Sequence, residues 1–348
     1  DNFRDLLQHF PVDFHPRIRE LESWSSDSFQ RHEATFTSRR QRGMIRECHG
    51  DLHLGNLIFL DGRVQLFDGI EFNDSFRWID VASDLSFVLM DLEEHRRWDL
   101  ANRLLNQYIE ITGDYEALQV IPFYKMYRAM VRAKTTILNA NQHHPGDPQS
   151  QNLFRSAVAY LDYGKELAVK RRPCLMITFG VSGSGKSHGT NRLLDLPNLI
   201  RIRSDVERKR LFGLPILQGP DLQQSHEVYS SAATQRTYEE VANIATTLLR
   251  SGYSVVVDAT FLKLWQRERL ANVAAEARVE FWIIEFHADL KTLQTRIESR
   301  AACGTDPSDA TIDVLANQLR EIEALTAWEQ LRRRSIDAIL AAEARHGP

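Results

Sequence analysis

Hydrophobic positions along the chain fall into two regimes. From residue 174 onward, four short β-rich apolar runs, at 174–179, 199–203, 253–258 and 281–286, alternate with stretches of helical character. That alternation predicts an α/β domain whose parallel sheet carries its ligands at the strands' carboxyl ends. Strand order cannot be read from sequence order. Before 174 the spacing is mainly helical: LANRLLNQYIEI (100–111) and FYKMYRAMVRAKTTIL (123–138) repeat apolar residues with the period of a helix. The stripe Phe123, Tyr124 and Tyr127 reads as helix core, and Arg128, Arg132 and Lys134 as a solvated face. A helix over 16–24 opens on proline, which suits a first turn. An amphipathic segment, 152–170, ends in KRRP (170–173), with cations at a helix C-terminus and Pro173 as the stop. One stretch breaks the helical pattern: LIFL (57–60) and VQLFD (64–68), joined by Asp61-Gly62, predict a hairpin. The basic run RRQRGMIR (39–46) reads as a solvated helix end leading into a strand. The tail 311–345 reads as charged helix, with LRRRS (331–335) solvated.

The change of regime sets a domain boundary between 170 and 171, dividing the chain into 1–170 and 171–348. At 348 residues, each part is long enough for its own core. A net charge of −4 argues against a general nucleic-acid-coating protein. The three cysteines, Cys48, Cys174 and Cys303, form no C-x-x-C pair, so neither a zinc site nor a disulfide framework is indicated. No apolar run approaches a membrane span, and the expected location is a reducing cytoplasm. The chain begins at Asp1 rather than Met, consistent with a fragment. Oligomeric state is not set by the sequence.

The strongest chemical signal is GVSGSGKS (180–187), which matches G-x-x-x-x-G-K-[ST] at Gly180, Gly185, Lys186 and Ser187. It follows the first apolar run and opens a helix, the arrangement in which backbone N–H groups converge on phosphate oxygens. ATP is the expected nucleotide, contacted by Gly180, Ser182, Gly183, Ser184, Gly185, Lys186, Ser187 and His188. Lys186 reaches the β- and γ-phosphates, and Ser187 holds Mg2+.

The run YSVVVDAT (253–260) closes on Asp258, either a second Mg2+ contact or a loop Asp capping the next helix. In RIRSDVERKR (201–210), Asp205 and Arg208 stand three apart on one helical face. A carboxylate there can take the proton of an acceptor hydroxyl while the guanidinium steadies phosphate; the alternative is an N-cap with a surface arginine. In TRIESR (295–300), Arg296 and Arg300 lie one turn apart, and Arg267 is a weaker candidate. These pieces resemble the P-loop small-molecule and polynucleotide kinases, a group that includes zeta toxins and gluconate kinase. The resemblance implies Asp205 as general base, Arg208 as a substrate-side contact, and Arg296 and Arg300 as lid arginines. A plain surface pair beside Glu298 is the alternative for the last two.

A second signature lies in the first half. HGDLHLGN (49–56), the hairpin and WIDVASDLSF (78–87) bring Asp51, Asn56 and Asp68 towards one spot, as the kinase template requires. Here the chain resembles the aminoglycoside phosphotransferase family. That implies a kinase-like C-lobe, helical with a small hairpin, in which Asp51 is the catalytic base and Asn56 and Asp68 ligate metal. Asp80 and Asp84 would support the catalytic loop, with His49 a structural hydrogen-bonding residue. The 48 residues before His49 are too few for that family's N-terminal lobe. The two halves together resemble bacterial bifunctional aminoglycoside phosphotransferase/ATP-binding proteins. The expected activity is transfer of the ATP γ-phosphoryl group by the second half to a hydroxyl acceptor, a small metabolite or a nucleic-acid 5′-end. The alternatives are an ATP-dependent regulatory switch without an acceptor, and phosphotransfer by the first half.

Overall fold

The computed structural model describes residues 2–144, 146–169, 172–217, 227–303 and 307–346. Lys170 and Arg171, which begin the expected basic helix stop, lie outside them. The chain divides into two compact units, Asp1–Ala101 with Glu116–Lys170, and Asn102–Tyr115 with Arg171–Pro348. The sequence expectation placed 102–115 in the first domain. The structure assigns it to the second, because its polar side chains are bonded to a strand there.

In the first unit, helices Asn2–His9, His15–Arg31, Val81–Glu94, Ala117–Ala140 and Pro148–Ala168 enclose a core that includes Leu6, Ile18, Met126, Met130 and Leu161. Strand β1 (Ile45–Glu47) pairs antiparallel with β4 (Trp78–Asp80). Strands β2 (Leu57–Leu60) and β3 (Arg63–Leu66) form the hairpin. Asp61 and Gly62 both have positive φ, 51° and 75°, which fits a two-residue turn whose twist matches the strands. Its apolar residues Ile58, Phe59, Leu60, Val64 and Leu66 are exposed rather than part of the core. Two basic stretches expected to be solvated each contain one buried arginine. Arg39 is fully buried and binds Asp80 through Nε at 2.7 Å and Nη2 at 2.8 Å, and Arg128 is buried as well. Each has a polar partner inside the unit, the condition under which a buried cation is tolerated.

The second unit is built on a four-stranded parallel sheet of β5 (Cys174–Phe179), β6 (Leu199–Arg203), β7 (Ser254–Asp258) and β8 (Glu280–Glu285), in the order β6-β7-β5-β8. Leu175, Ile177, Val255, Val257 and Ile283 are completely buried, as strands covered on both faces require. Helices Lys186–Leu193, Ser231–Arg250 and Leu264–Ala277 return the chain between strands.

Both edges of this sheet are covered, which removes the exposed N–H and C=O groups an edge strand otherwise presents. Along β6, Asn102 and Asn106 donate to Leu199 O at 2.9 and 2.8 Å, and Asn106 Oδ1 accepts from Arg201 N at 2.8 Å. Along β8, Ile283 N donates to Arg332 O and Arg334 N to Ile283 O, both at 3.0 Å. LRRRS is therefore an edge segment rather than helix, and Leu331, Arg333, Arg334 and Ser335 are exposed, as expected. Arg334 lies 3.8 Å over the Trp282 ring, and Arg333 pairs with Glu285 at 2.7 Å. The tail forms three helices, Ile312–Glu321, Ala327–Gln330 and Ile336–His346.

Candidate active site

Strand β5 runs directly into the glycine turn, and Gly185 at φ 98° caps the helix Lys186–Leu193. A Cβ on Gly180 would stand 2.5 Å from the Phe286 carbonyl oxygen, and one on Gly183 2.9 Å from that of Leu293. Both glycines have positive φ, so neither position accepts a side chain without moving backbone. Lys186 is buried, and its Nζ donates to Val181 O at 2.7 Å. Burial pulls its pKa down to about 8, against the raising influence of Asp258 and Asp205, while Arg300 adds to the lowering. The charges of Asp258, Asp205 and Arg300 are thus all felt at Lys186.

Asp258 ends β7, is buried, and receives a bond from Thr190 Oγ1 at 3.4 Å. Thr190 also donates to the carbonyl of Ser187, three residues back on the same helix. The next helix is capped by Lys263, so Asp258 is not its cap. Asp205 lies inside the first turn of Ser204–Leu211, whose N-cap is Arg203, so Asp205 is not a cap either. Burial raises the Asp205 carboxyl above the ordinary 3.8; Arg203 and Arg208 pull it down, and Asp258 pushes it up.

Arg208 is buried and donates to Val228 O at 2.9 Å and Thr234 Oγ1 at 3.3 Å, with its guanidinium 5.3 Å from the Tyr229 ring centre. Arg296 is exposed and reaches Gly183 O at 3.2 Å. Arg300, on the same helix Leu290–Cys303, keeps Nη2 buried without a partner among the described residues, as does Ser184 at Oγ. A glycine cradle with an orphaned hydroxyl and an orphaned guanidinium nitrogen fits a phosphate chain. Ser187, in the first helical turn, and Asp258 supply the oxygen donors that suit Mg2+. His188 is exposed.

Arg267 is not part of this pocket. It is 1% exposed, paired with Glu329 at 2.6 Å, and donates to the carbonyls of Phe261, Glu323 and Ala324. It holds the segment 323–329 in place.

In the first unit, Asn56 is buried and donates Nδ2 to Asp51 O at 3.0 Å and Oδ2 at 3.3 Å. A hydrogen bond with His53 holds the Asp51 carboxyl below the usual carboxylate range, against burial. Asp84 accepts from the amides of His49 and Gly50, both at 3.0 Å, and Asp80 is the buried partner of Arg39 and the N-cap of Val81–Glu94. His49 Nε2 lies 2.8 Å from Phe67 O. Asp68, at φ 59°, is exposed, and its side chain makes no hydrogen bond or ion pair among the described residues. The preceding residue is tied to the Asp51–Asn56 loop, Phe67 N donating to Asn56 O at 3.1 Å.

Several site residues escape sequence reasoning. Gln318 Oε1 accepts from Ser182 N, Arg203 lies beside Asp258, Arg128 donates to Gly50 O at 3.0 Å, and Asp91 accepts from Leu54 N at 2.8 Å. Only Thr190 carried a local signal, its spacing from Ser187 on one helix face.

A strand, glycine turn and helix N-terminus with a buried lysine, beside a carboxylate ending the neighbouring strand, define a P-loop nucleotide-binding domain. In keeping with that, residues 175–325 match the AAA domain family model. Uncharacterized proteins of Mycobacterium tuberculosis and Mycobacterium bovis are 30% identical over 301 residues, 86% of this chain. The chain spans 58% of the length of these relatives. Among solved structures, a gluconokinase from Sinorhizobium meliloti 1021 is similar at 20% identity and a TM-score of 0.34, over 51% of this chain and 94% of that one. The Mycobacterium tuberculosis APS kinase CysC in complex with AMPPNP and APS is similar at 19% identity and a TM-score of 0.35, over 51% and 99%. Likenesses of this size do not assign an acceptor. No helix among the described residues is long and apolar enough to cross a membrane.

Proposed function

We propose that the second unit transfers the γ-phosphoryl group of ATP to a hydroxyl acceptor. The observation that carries this reading is the buried Lys186 of the glycine turn beside Asp258, which ends the neighbouring strand and accepts from Thr190 of the lysine's own helix. Asp205 would accept the acceptor's hydroxyl proton as that oxygen bonds to the γ-phosphorus. The bond from phosphorus to the bridging oxygen breaks, and ADP leaves with its electron pair. Burial lifts the Asp205 carboxyl towards neutrality, which makes it a better base than an ordinary aspartate. Lys186 and Arg300 meet the charge on the transferred group, and Arg296 lies over the turn at Gly183. Arg208 is turned towards Val228 and Thr234, a placement that suits orienting Asp205 and the acceptor side. Ser187 and Asp258 would hold Mg2+, which when bound neutralises charge on the β- and γ-phosphates.

A second reading places phosphotransfer in the first unit, on the aminoglycoside-phosphotransferase resemblance. The Asp51–Asn56 pair and its support from Asp84 favour it, whereas the buried lysine of the glycine turn favours the P-loop unit. Transfer of labelled γ-phosphate separates the two. A 5′-hydroxyl oligonucleotide and a small-metabolite extract are offered in turn to the wild type, Lys186→Ala, Asp205→Asn and Asp51→Asn. Labelling that is lost with the first two changes and kept with the third supports the P-loop unit. Loss only with Asp51→Asn moves the chemistry to the first unit. Nucleotide binding without any labelled acceptor favours a switch.

A further inference from the structure

We propose that Glu110 is a positioning residue of the P-loop site, setting through Arg203 how much of the Asp258 carboxylate is open to a divalent cation. The inference rests on the reading that this unit binds a metal-nucleotide complex.

Glu110 lies in the segment Asn102–Tyr115, far from the glycine turn in sequence but within the same compact unit. The segment is tied down on both sides of it. Asn102 and Asn106 bond to the backbone of β6, Arg210 Nη2 donates to the Glu110 carbonyl at 2.7 Å, and Tyr115 donates to Glu207 at 2.7 Å. The carboxylate itself is divided between two arginines. Oε2 receives Arg201 Nη2 at 3.0 Å, and Oε1 receives Arg203 Nη1 at 3.2 Å. Both arginine side chains are about nine-tenths buried.

Arg203 faces a second carboxylate. Strand register sets it opposite Asp258, and its Nε stands 3.9 Å from Asp258 Oδ2. It is also the leading cation acting on Asp205. One guanidinium is thus shared between a carboxylate outside the catalytic pocket and two inside it. With Glu110 charged, Arg203 is held at the outer end, and its approach to Asp258 stays at the limit of an ion pair. Without that charge, Asp258, whose Oδ2 already stands 3.9 Å from Arg203 Nε, is a carboxylate onto which the buried guanidinium can close, since a buried cation keeps an opposite charge wherever one is within reach. An Asp258 closed onto Arg203 is a poorer ligand for Mg2+, because the metal must displace the guanidinium first.

The experiment measures binding of a fluorescent ADP analogue to the full chain over a series of Mg2+ concentrations. The wild type is compared with Glu110→Gln, Arg203→Met and the double variant, and melting curves confirm that each is folded. Glu110→Gln is expected to raise the half-saturating Mg2+ concentration about 3- to 10-fold, with metal-free nucleotide affinity changed by less than about twofold. Adding Arg203→Met removes the competitor and returns the Mg2+ demand towards the wild-type value. A merely structural Glu110 would weaken binding with and without metal alike, which would overturn the proposal. An unchanged Mg2+ demand in Glu110→Gln, or no recovery in the double variant, would also overturn it. If Glu110→Gln does not fold, Glu110→Asp keeps the charge on a shorter stem, and a smaller shift in the same direction is expected. If the wild type itself shows no Mg2+-dependent nucleotide binding, the underlying reading of the site fails. Mg2+-dependent binding that is indifferent to Glu110 refutes only the positioning role.

Discussion

Gln318 Oε1 accepts a hydrogen bond from the Ser182 amide at 2.7 Å, so a side chain from the helix Ile312–Glu321 satisfies one N–H of the glycine turn. Removing it leaves a buried N–H unpaired in the free protein, at a cost of about 1 kcal/mol or more. A bound phosphate oxygen can take the same place. Gln318→Ala should therefore lower the melting temperature of the free protein and enlarge the further rise on adding ADP, both read by thermal shift. Equal losses with and without ADP would mean that Ser182 N does not face phosphate.

Lys186 is held charged at a cost. Its pKa of about 8 in the folded chain lies below the 10.5 of an unburied lysine, so between those values the unfolded state binds more protons and stability rises with pH. The cost is fully present below about pH 8. Lys186→Met should then stabilise the free protein at pH 7 by about 1–2 kcal/mol, after allowing for the lost bond to Val181 O, while abolishing nucleotide binding. Urea unfolding at several pH values checks this. The gain should shrink as the pH climbs from 8 towards 10.5.

Asp205 and Lys186 frame the pH dependence of transfer. Asp205 must be ionised to act as base, and its carboxyl is raised, so the acid limb of kcat/KM should lie above the ordinary 3.8. The alkaline limb should begin near pH 8, where Lys186 in the free enzyme loses its proton. A profile flat through about pH 8 to 9 would rule out the Lys186 assignment, and an acid limb at or below 3.8 would rule out that of Asp205.

Arg267 separates a structural from a catalytic role. Its bonds to Glu329 and three carbonyls are buried, and breaking such a pair from one side costs about 3–5 kcal/mol. Arg267→Met should cost that much in denaturant unfolding. Once folded, the variant should bind ADP within about threefold of the wild type. A stable variant that fails to bind would place Arg267 in the site after all.

Much of this architecture is legible along the chain. The runs at 174–179 and 199–203 are strands over those same residues, that at 253–258 begins one residue later, and that at 281–286 is shifted by one. The Asp61-Gly62 turn also falls where its residues predict, because two successive positive-φ positions admit few residue types. Such features depend on period and backbone preference, which neighbouring residues carry by themselves.

Local sequence determined the glycine turn, the helix it opens and the strand that leads into it, since their geometry follows from adjacent residues. Tertiary structure decided the partners. Arg39 and Arg128 read as solvated charges until the fold set Asp80 and Gly50 O against them. LRRRS read as surface, and is exposed, but only the fold set it along the edge of β8. Glu110 carried no signal at all, because its meaning lies in Arg201 and Arg203, some 90 residues further along. A charge in a sequence has no environment. Whether it is solvated, paired or poised depends on which distant group the fold brings within a few ångströms, and on how much water is left between them.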